Sequence, residues 1–566
     1  MAPRIYTSHI PDVPIEQMSV FTKLFASHAP GDVGGHPGSW TAYVDAASGA
    51  ALTRAQVKNL ALSFAYGLRD HPTTQPSAKR GDTVLIFSPN SLVWPIVLYG
   101  SIAAGLRCTL ANSAYTSHEL AYQYKDSRAK LVFTAEEGIS TVRAMFAELG
   151  LSKAEAEKRI VVLGNDLRWA GGPAVSRSLD AAGLLPWEDL LSRGVLEKEE
   201  PFEGAAAQET AYLCYSSGTT GNPKGVETTH QNITSVANLL QYPFYLGVTV
   251  VIQTRFEPVQ FCANIERYKI GFAFIVPPVL VVLARHPAVD SYDLSSLEYM
   301  LSGAAPLGAD LVKNGNPKFL VPPPNRELGS LCLITQGYGL TETSPSSHML
   351  DFFSCNRKVG SVGFLLPNLK ARLVEDDDGA IDAEEGKPGE LWMQGPTVMK
   401  GYLNNPTATN NAITPDRWFK TGDIAIRDKE GYYYIVDRKK ELIKYKGFQV
   451  PPAELEAVLL THPEIADAAV IGVESIEQAT ELPRAYVVHA DPAKVKTAEA
   501  KAAFAASVVK WMETKVAKHK FLRGGVAVSE MIPKSAAGKI LRRHLRDQAK
   551  AEAARGEINT GFKARM

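Results

Sequence analysis

The sequence predicts an α/β protein with a large N-terminal unit of parallel sheets flanked by helices and a smaller α+β unit behind it. Three observations carry this. Strand-like apolar runs alternate with helical patterns through the first part of the chain, the arrangement that covers a parallel sheet on both faces. Beyond about residue 437 the texture changes to short strands around an alanine-rich helix. And 566 residues are more than one hydrophobic core normally organises. The expected boundaries are 1–436 for the large unit and 437–566 for the small one.

Taken in order, Asp82–Ser88 reads as a buried strand, Val93–Gly105 as a helix, Lys130–Thr134 and Arg159–Leu163 as further strands. Asp378-Gly379 marks a hairpin turn inside the acidic run Glu375–Glu390, which otherwise reads as a solvated loop. In the last part, Ala468–Val473, Arg484–Val488 and Gly525–Val528 read as strands around a helix over Thr497–Val516. Leu541–Arg555 reads as a closing helix with a basic outer face, a pattern usually meant for solvent.

Composition excludes several classes. Sixty basic and sixty acidic side chains leave no cationic excess for a nucleic-acid backbone, so no nucleic-acid partner is expected. The five cysteines, Cys108, Cys214, Cys262, Cys332 and Cys355, are scattered and form no CxxC pair, which argues against a disulfide framework or a zinc ribbon. The longest apolar run, Phe272–Ala284, is broken by Pro277-Pro278, so no membrane span is expected. The C-terminal Ala564-Arg565-Met566 has the small–basic–aliphatic shape of a peroxisomal address, so the expected location is the peroxisome or the cytoplasm.

The strongest local signal is the stretch Tyr212–Val226. A strand over Ala211–Ser216 enters Ser216, Ser217, Gly218, Thr219, Thr220, Gly221, Asn222, Pro223, Lys224 and Gly225, and a helical pattern follows from His230. Glycines let successive amides turn toward one anion, hydroxyls add donors, and Lys224 adds charge. Pro223 and Gly225 occupy positions where a Walker A loop needs glycine and Ser or Thr, so this is a different phosphate loop.

That loop resembles the signature of the acyl-adenylate-forming superfamily, and closest to it the hydroxycinnamate/aryl-CoA ligase and luciferase branch. Further motifs follow in the family's order: Ser302–Leu307, Gln336–Thr343, Gly395–Pro406, Trp418–Asp423, Val436–Val450 and Pro533–Lys539. The resemblance implies the adenylate-forming fold and an ATP-dependent acid–CoA ligase. Such an enzyme sets a carboxylate against the α-phosphate of ATP with Mg²⁺, then passes the acyl group to CoA. The KYKG form of the 444–447 segment points to an aromatic or medium-chain acid. Only residues 540–566 follow Lys539, so no fused carrier protein is expected and CoA is the simplest acceptor.

Residue by residue, the resemblance implies that Ser216–Gly225 close over the phosphates, that Thr341 bonds phosphate oxygens, and that Glu342 holds the metal. Tyr338 would stack on adenine, with Gly303, Ala304 and Ala305 on its other face and Gln336, Gly337, Gly339 and Leu340 alongside. Asp423 would take the ribose hydroxyls, Arg438 the nucleotide, and Lys539, after Gly538, the developing charge of adenylation. Gly303 and Gly337 would border the acid. A swing about the hinge Lys440 would bring Lys444, Lys446 and Gly447 to a CoA site.

One departure stands out. Relatives carry, after the helix that follows the phosphate loop, a strand and an aromatic-His-aromatic motif whose histidine neighbours the acyl carbonyl. Here His230–Leu240 runs directly into Gln241–Ile252, so no histidine is assigned to the acid, and His230 is no substitute. Either the sequence lacks a segment of an ordinary ligase, or the chain is a truncated nucleotide-binding paralogue without turnover. A third expectation is adenylation with another acceptor, a separate carrier protein or oxygen.

Overall fold

In a computed structural model, residues 3–73, 79–216, 223–239, 243–303, 332–446, 448–475, 478, 480–534 and 539–558 are described. The first sheet has eight strands in the spatial order Leu185–Pro186, Ile160–Leu163, Ala129–Ala135, Thr83–Phe87, Arg107–Ala111, Thr210–Ser216, Lys224–Thr229 and Gly401–Tyr402. The first six run parallel, and Lys224–Thr229 runs antiparallel to both of its neighbours. All five residues of Thr83–Phe87 are buried. Val84 and Ile86 enter one core with Phe64, Ile96 and Phe133, while Leu85 and Phe87 enter another with Leu120, Val142 and Phe146. Alternate residues thus pack on opposite faces, as a sheet covered twice requires.

Local chemistry starts the covering helices where they are needed. Thr53 and Gln56 form a reciprocal capping box at Arg54–Asp70, and Thr116 and Glu119 form another at Ser117–Ser127. Pro95 stands in the first turn of Trp94–Ala103, where a missing N–H costs nothing.

A second sheet runs Phe272–Ile275, Tyr299–Ser302, Leu333–Gly339, Ser346–Met349 and Phe364–Leu365. A third, antiparallel, runs Tyr6–Thr7, Lys370–Val374, Gly389–Gln394, Phe419–Arg427 and Tyr433–Arg438. The expected hairpin is present, with Gly379 at φ +76° in the connection between Lys370–Val374 and Gly389–Gln394. The acidic run around it is not simply solvated. Arg372 grips Asp382 at 2.7 Å, and Glu390 is buried at the end of the run, so several of its charges are structural.

In the small unit Ile465–Ser475 pairs antiparallel with Thr480–His489, which pairs parallel with Val526–Val528. Helices Pro452–Leu460 and Ala498–Glu513 pack on one face through Leu455, Leu459, Val508 and Met512. Helix Arg542–Ala554 packs on the other through Leu545 and Ala549. Its first arginine corrects the expectation of a purely solvated basic face, because Arg542 is buried against Glu441 and Glu456. The five cysteines are all free thiols. Among the described residues no helix is long and apolar enough to cross a membrane.

The region after the junction at 240–242 is thinly covered. Val250–Ile252 pairs only with Thr41–Asp45, and Phe272–Ile275 only with Tyr299–Ser302, so among the described residues each leaves one edge open. Phe274 is 58% exposed although it lies in a strand, and Leu246, Val248, Phe256, Val259 and Val282 are exposed nearby in sequence. A parallel strand with one bare face and one bare edge is what remains when a neighbour is missing.

Arg54 ties this region to the first core. It is buried, donates to the Val33 carbonyl at 2.8 and 3.0 Å and to the Phe244 carbonyl at 2.6 Å, and lies over the Phe244 ring. Arg54→Met removes the guanidinium from both carbonyls, leaving Phe244 only the Gly247 amide at 3.2 Å, and should destabilise the large unit by about 2 kcal/mol, read as a lower urea midpoint.

Candidate active site

The strand ends of the first two sheets and the rim of the third open onto one cavity of about 1730 Å³. Ser216 and Lys224 reach it from the first sheet, Ser302, Gly303 and Gly337–Glu342 from the second, and Thr421, Gly422 and Arg438 from the third. Lys439, Lys440, Lys444, Glu481 and Lys539 close it from the side of the small unit. Its apolar wall includes Ile233, Val236, Phe274, Ile275 and Leu301.

The phosphate loop is built differently from the strand-to-helix expectation. Ser216 pairs across from Lys224, so the segments flanking the loop are two antiparallel strands, and the helix His230–Leu239 starts only after the second strand. Residues 217–222 lie outside the described residues, as do Ala304, Ala305, Gly447 and Gly538. The Lys224 ammonium stands 4.2 Å above the Tyr402 ring. The hydroxyl of the same tyrosine donates to Glu342 Oε1 at 2.9 Å, and burial and that carboxylate push its pKa up. Glu342 is itself buried, in the short turn Thr341–Thr343, and the amide of Met399 bonds its carbonyl at 2.9 Å.

The glycine two residues before that turn, Gly339, is a steric requirement. A Cβ on Gly339 would lie 1.8 Å from the Pro345 carbonyl oxygen, so Gly-Leu-Thr-Glu folds back only with glycine there. Tyr338 donates to Asp423 Oδ2 at 2.6 Å, and Arg438 approaches Asp423 Oδ1 at 3.3 Å across the paired strands Phe419–Arg427 and Tyr433–Arg438. Burial pushes the Asp423 pKa up, while Arg438, Tyr338 and Lys539 oppose it. The Tyr338 phenol is held far above its ordinary range by burial and by Asp423. Burial and the Arg438 charge lower Lys539, with Glu441 and Asp423 pulling the other way.

Several expected residues stand back from the cavity. Gln336 is buried in register with Ser302, Gly225 is buried in its strand, and Pro223 accepts a hydrogen bond from Tyr122 at 2.9 Å. Lys446 is exposed outside the cavity wall with its amide on Thr480 at 2.7 Å, whereas Lys444 reaches the wall. His230 is buried, accepts the Val20 amide at 3.2 Å and stacks on Phe202, a structural role in keeping with its exclusion from the site.

Three participants were not expected. Tyr402 lay inside the quoted Gly395–Pro406 motif without a role, and only its place in that motif could have flagged it. Glu390 and Asp377 belong to the acidic run. Glu390 holds Lys439 at 2.8 Å and takes the Gly422 amide at 3.1 Å, and Asp377 pairs with the same lysine. That clamp fixes the chain immediately before Lys440.

The family profile described as AMP-binding enzyme matches residues 32–243 and again 235–403, and that described as AMP-binding enzyme C-terminal domain matches 454–539. The first match breaks at the junction noted above, using residues 235–243 twice. The chain is similar to a protein named 4-coumarate–CoA ligase-like 4 from Oryza sativa subsp. japonica, 33% identical and covering 96% of each chain. That alignment runs over 581 positions, more than the 566 residues present here, so the rice protein carries residues without a counterpart. A probable 4-coumarate–CoA ligase 1 of Dictyostelium discoideum is 36% identical over 83% of this chain and 86% of that protein. Among solved structures, the anthranilate CoA ligase AuaEII in complex with anthranoyl-AMP matches with a TM-score of 0.77 at 22% identity, covering 96% of this chain and 99% of that one. At that identity the likeness is one of fold.

The surroundings of Lys539 make a direct prediction. Its lowered pKa should let it react with an amine-specific acylating reagent at a lower pH than exposed lysines do. Arg438→Gln removes a positive neighbour and should move that reaction back toward higher pH, measured by competitive labelling and peptide mass spectrometry.

Proposed function

This chain belongs to the AMP-binding enzyme family, in its hydroxycinnamate/aryl-CoA ligase branch, and from that premise we propose how its residues share the work. It is an ATP-dependent acid–CoA ligase: a carboxylic acid is activated as its acyl adenylate, pyrophosphate leaves, and the acyl group passes to CoA. The observation that carries the assignment of roles is the convergence of Lys224, Arg438 and Lys539 with Glu342 on one cavity that also has an apolar wall.

The first step brings one anion onto another, so catalysis is chiefly charge neutralisation and alignment. Lys224 meets the terminal phosphates, Thr341 adds a hydroxyl donor, and Lys539 meets the charge that develops as the carboxylate attacks. Tyr338 offers its ring to the base. Asp423 receives the ribose hydroxyls, which replace the Tyr338 and Arg438 contacts it makes here. The apolar wall of Ile233, Val236, Phe274 and Leu301 supports an aromatic or medium-chain acid.

Mg²⁺ fits the donors present. Glu342 and the Thr341 hydroxyl offer hard oxygens at the cavity. This suits an ion held by one carboxylate and by the nucleotide's own phosphates. When bound, it neutralises phosphate charge; Glu342 would hold it, and Tyr402 would keep Glu342 aimed.

In the second step Lys444, already at the cavity wall, supports a CoA path on the side of the small unit. The open edge of Phe272–Ile275 and the broken family match favour one further reading, nucleotide binding with turnover impaired until the missing strand is restored.

The test is carboxylate-dependent exchange of labelled pyrophosphate into ATP, with thioester appearing only when CoA is added. Lys539→Ala should lower the exchange by at least about 100-fold. Tyr402→Phe should lower it about tenfold while raising the KM for ATP, because Glu342 loses its hydrogen bond. No exchange across a panel of aromatic and medium-chain acids, with or without the rice protein's segment inserted after Leu239, sinks the ligase assignment. Exchange only after insertion establishes the impaired form.

A further inference from the structure

We propose that Asp437 is a positioning residue that holds the small unit in the orientation presenting Lys539 to the cavity, and so favours acid activation over thioester formation. The division into those two steps rests on the reading above; the geometry does not.

Asp437 lies in the strand Tyr433–Arg438, in register with Ile424 of the third sheet. It is therefore fixed to the large unit, whose third sheet runs two residues past the boundary expected at 436. Its buried carboxylate takes the Arg438 amide on Oδ1 at 2.7 Å and the Ala453 amide on Oδ2 at 3.1 Å. Ala453 is in the first turn of helix Pro452–Leu460, behind Pro451 and Pro452. Two prolines have no N–H to offer, so Ala453 carries the helix's first amide, and no side chain at the cap position serves the helix start. Asp437 supplies that service from another segment, with its charge at the positive end of the helix.

The same helix connects to Lys539. Its Glu456 grips Arg542 with both oxygens at 2.7 Å, and Arg542 also holds Glu441 at 2.9 Å. Arg542 opens the closing helix three residues beyond Lys539. The segment between is braced by the bridge Lys534–Ile540 and by the Leu541 amide on the Pro533 carbonyl at 2.8 Å. Moving the Pro452–Leu460 helix therefore moves the base of Lys539.

Either side of the exposed Lys440 the chain is clamped. Lys439 is held to Glu390 and Asp377, and its amide to the Gly422 carbonyl at 2.8 Å; Glu441 is held to Arg542. A rotation at Lys440 leaves Asp437 with the large unit and carries Ala453 away. The Asp437–Ala453 contact thus exists in one orientation only, and such a contact biases the equilibrium by its full strength.

The experiment places spin labels at Leu179→Cys and Met531→Cys, exposed positions on the large and small units, and reads their separation in the full-length protein by pulsed electron resonance. The protein with Asp437 intact should give one predominant distance. Asp437→Ala should shift the ratio of the two populations about tenfold toward a second distance, with the isosteric Asp437→Asn between them. In parallel, pyrophosphate exchange should fall in Asp437→Ala, by no more than the same tenfold factor, while thioester formation from supplied acyl adenylate and CoA does not fall. An unchanged distance distribution, or equal loss of both half-reactions, overturns the proposal. Absence of both half-reactions in the parent protein counts against the ligase reading instead, and the distances still decide the role of Asp437.

Discussion

Everything in the cavity depends on keeping a cation and an anion close without letting them neutralise each other. Lys224 and Glu342 face the same space, and in direct contact they would form an ion pair with little charge left for a ligand. Tyr402 stands between them. Its ring face receives the ammonium and its hydroxyl engages the carboxylate, so each charge has a partner that can yield when a stronger one arrives. A ring–ammonium contact is worth roughly 1–2 kcal/mol, far less than a phosphate offers at the same distance. The arrangement stores both charges at low cost.

The same logic recurs on either side of Lys440. Asp423, Asp437, Glu441 and Glu456 all come close to Arg438, Lys539 or Arg542. Burial pushes Asp437 up to about 6 and Glu456 up to about 7, with Arg542 opposing in both. Such groups are stable as ions only while their partners stay in place. The Asp437 carboxylate on the Ala453 amide adds a contact of this kind between the third sheet and the first helix of the small unit.

Much of this was legible before any coordinate. Val93–Gly105 and Asp82–Ser88 carry strong local periodicity, and the observed helix Trp94–Ala103 and strand Thr83–Phe87 fall inside those limits. Asp378-Gly379 announced its hairpin by turn chemistry alone. The motif residues Ser216, Lys224, Tyr338, Glu342, Arg438 and Lys539 do share one cavity wall. What escaped was long-range. Lys224 and Gly225 fall in the expected loop, yet they begin the strand Lys224–Thr229, whose partner Thr210–Ser216 lies across the hairpin. Glu390 reads as one acid among many until Lys439 arrives 49 residues later. Asp437 reads as the front half of a basic motif; its partner amide is hidden behind two prolines. Pairings of this kind leave no period in the sequence, because the contact is made by the fold and not by the neighbours.

The open margin at Phe272–Ile275 bears on the life of the polypeptide in a cell. A strand that, among the described residues, leaves one edge unpaired and a phenyl ring protruding is a template for any extended chain that drifts past. The amount of working protein is then set by a race between capture and completion of folding, and forced overproduction tilts that race toward inclusion bodies.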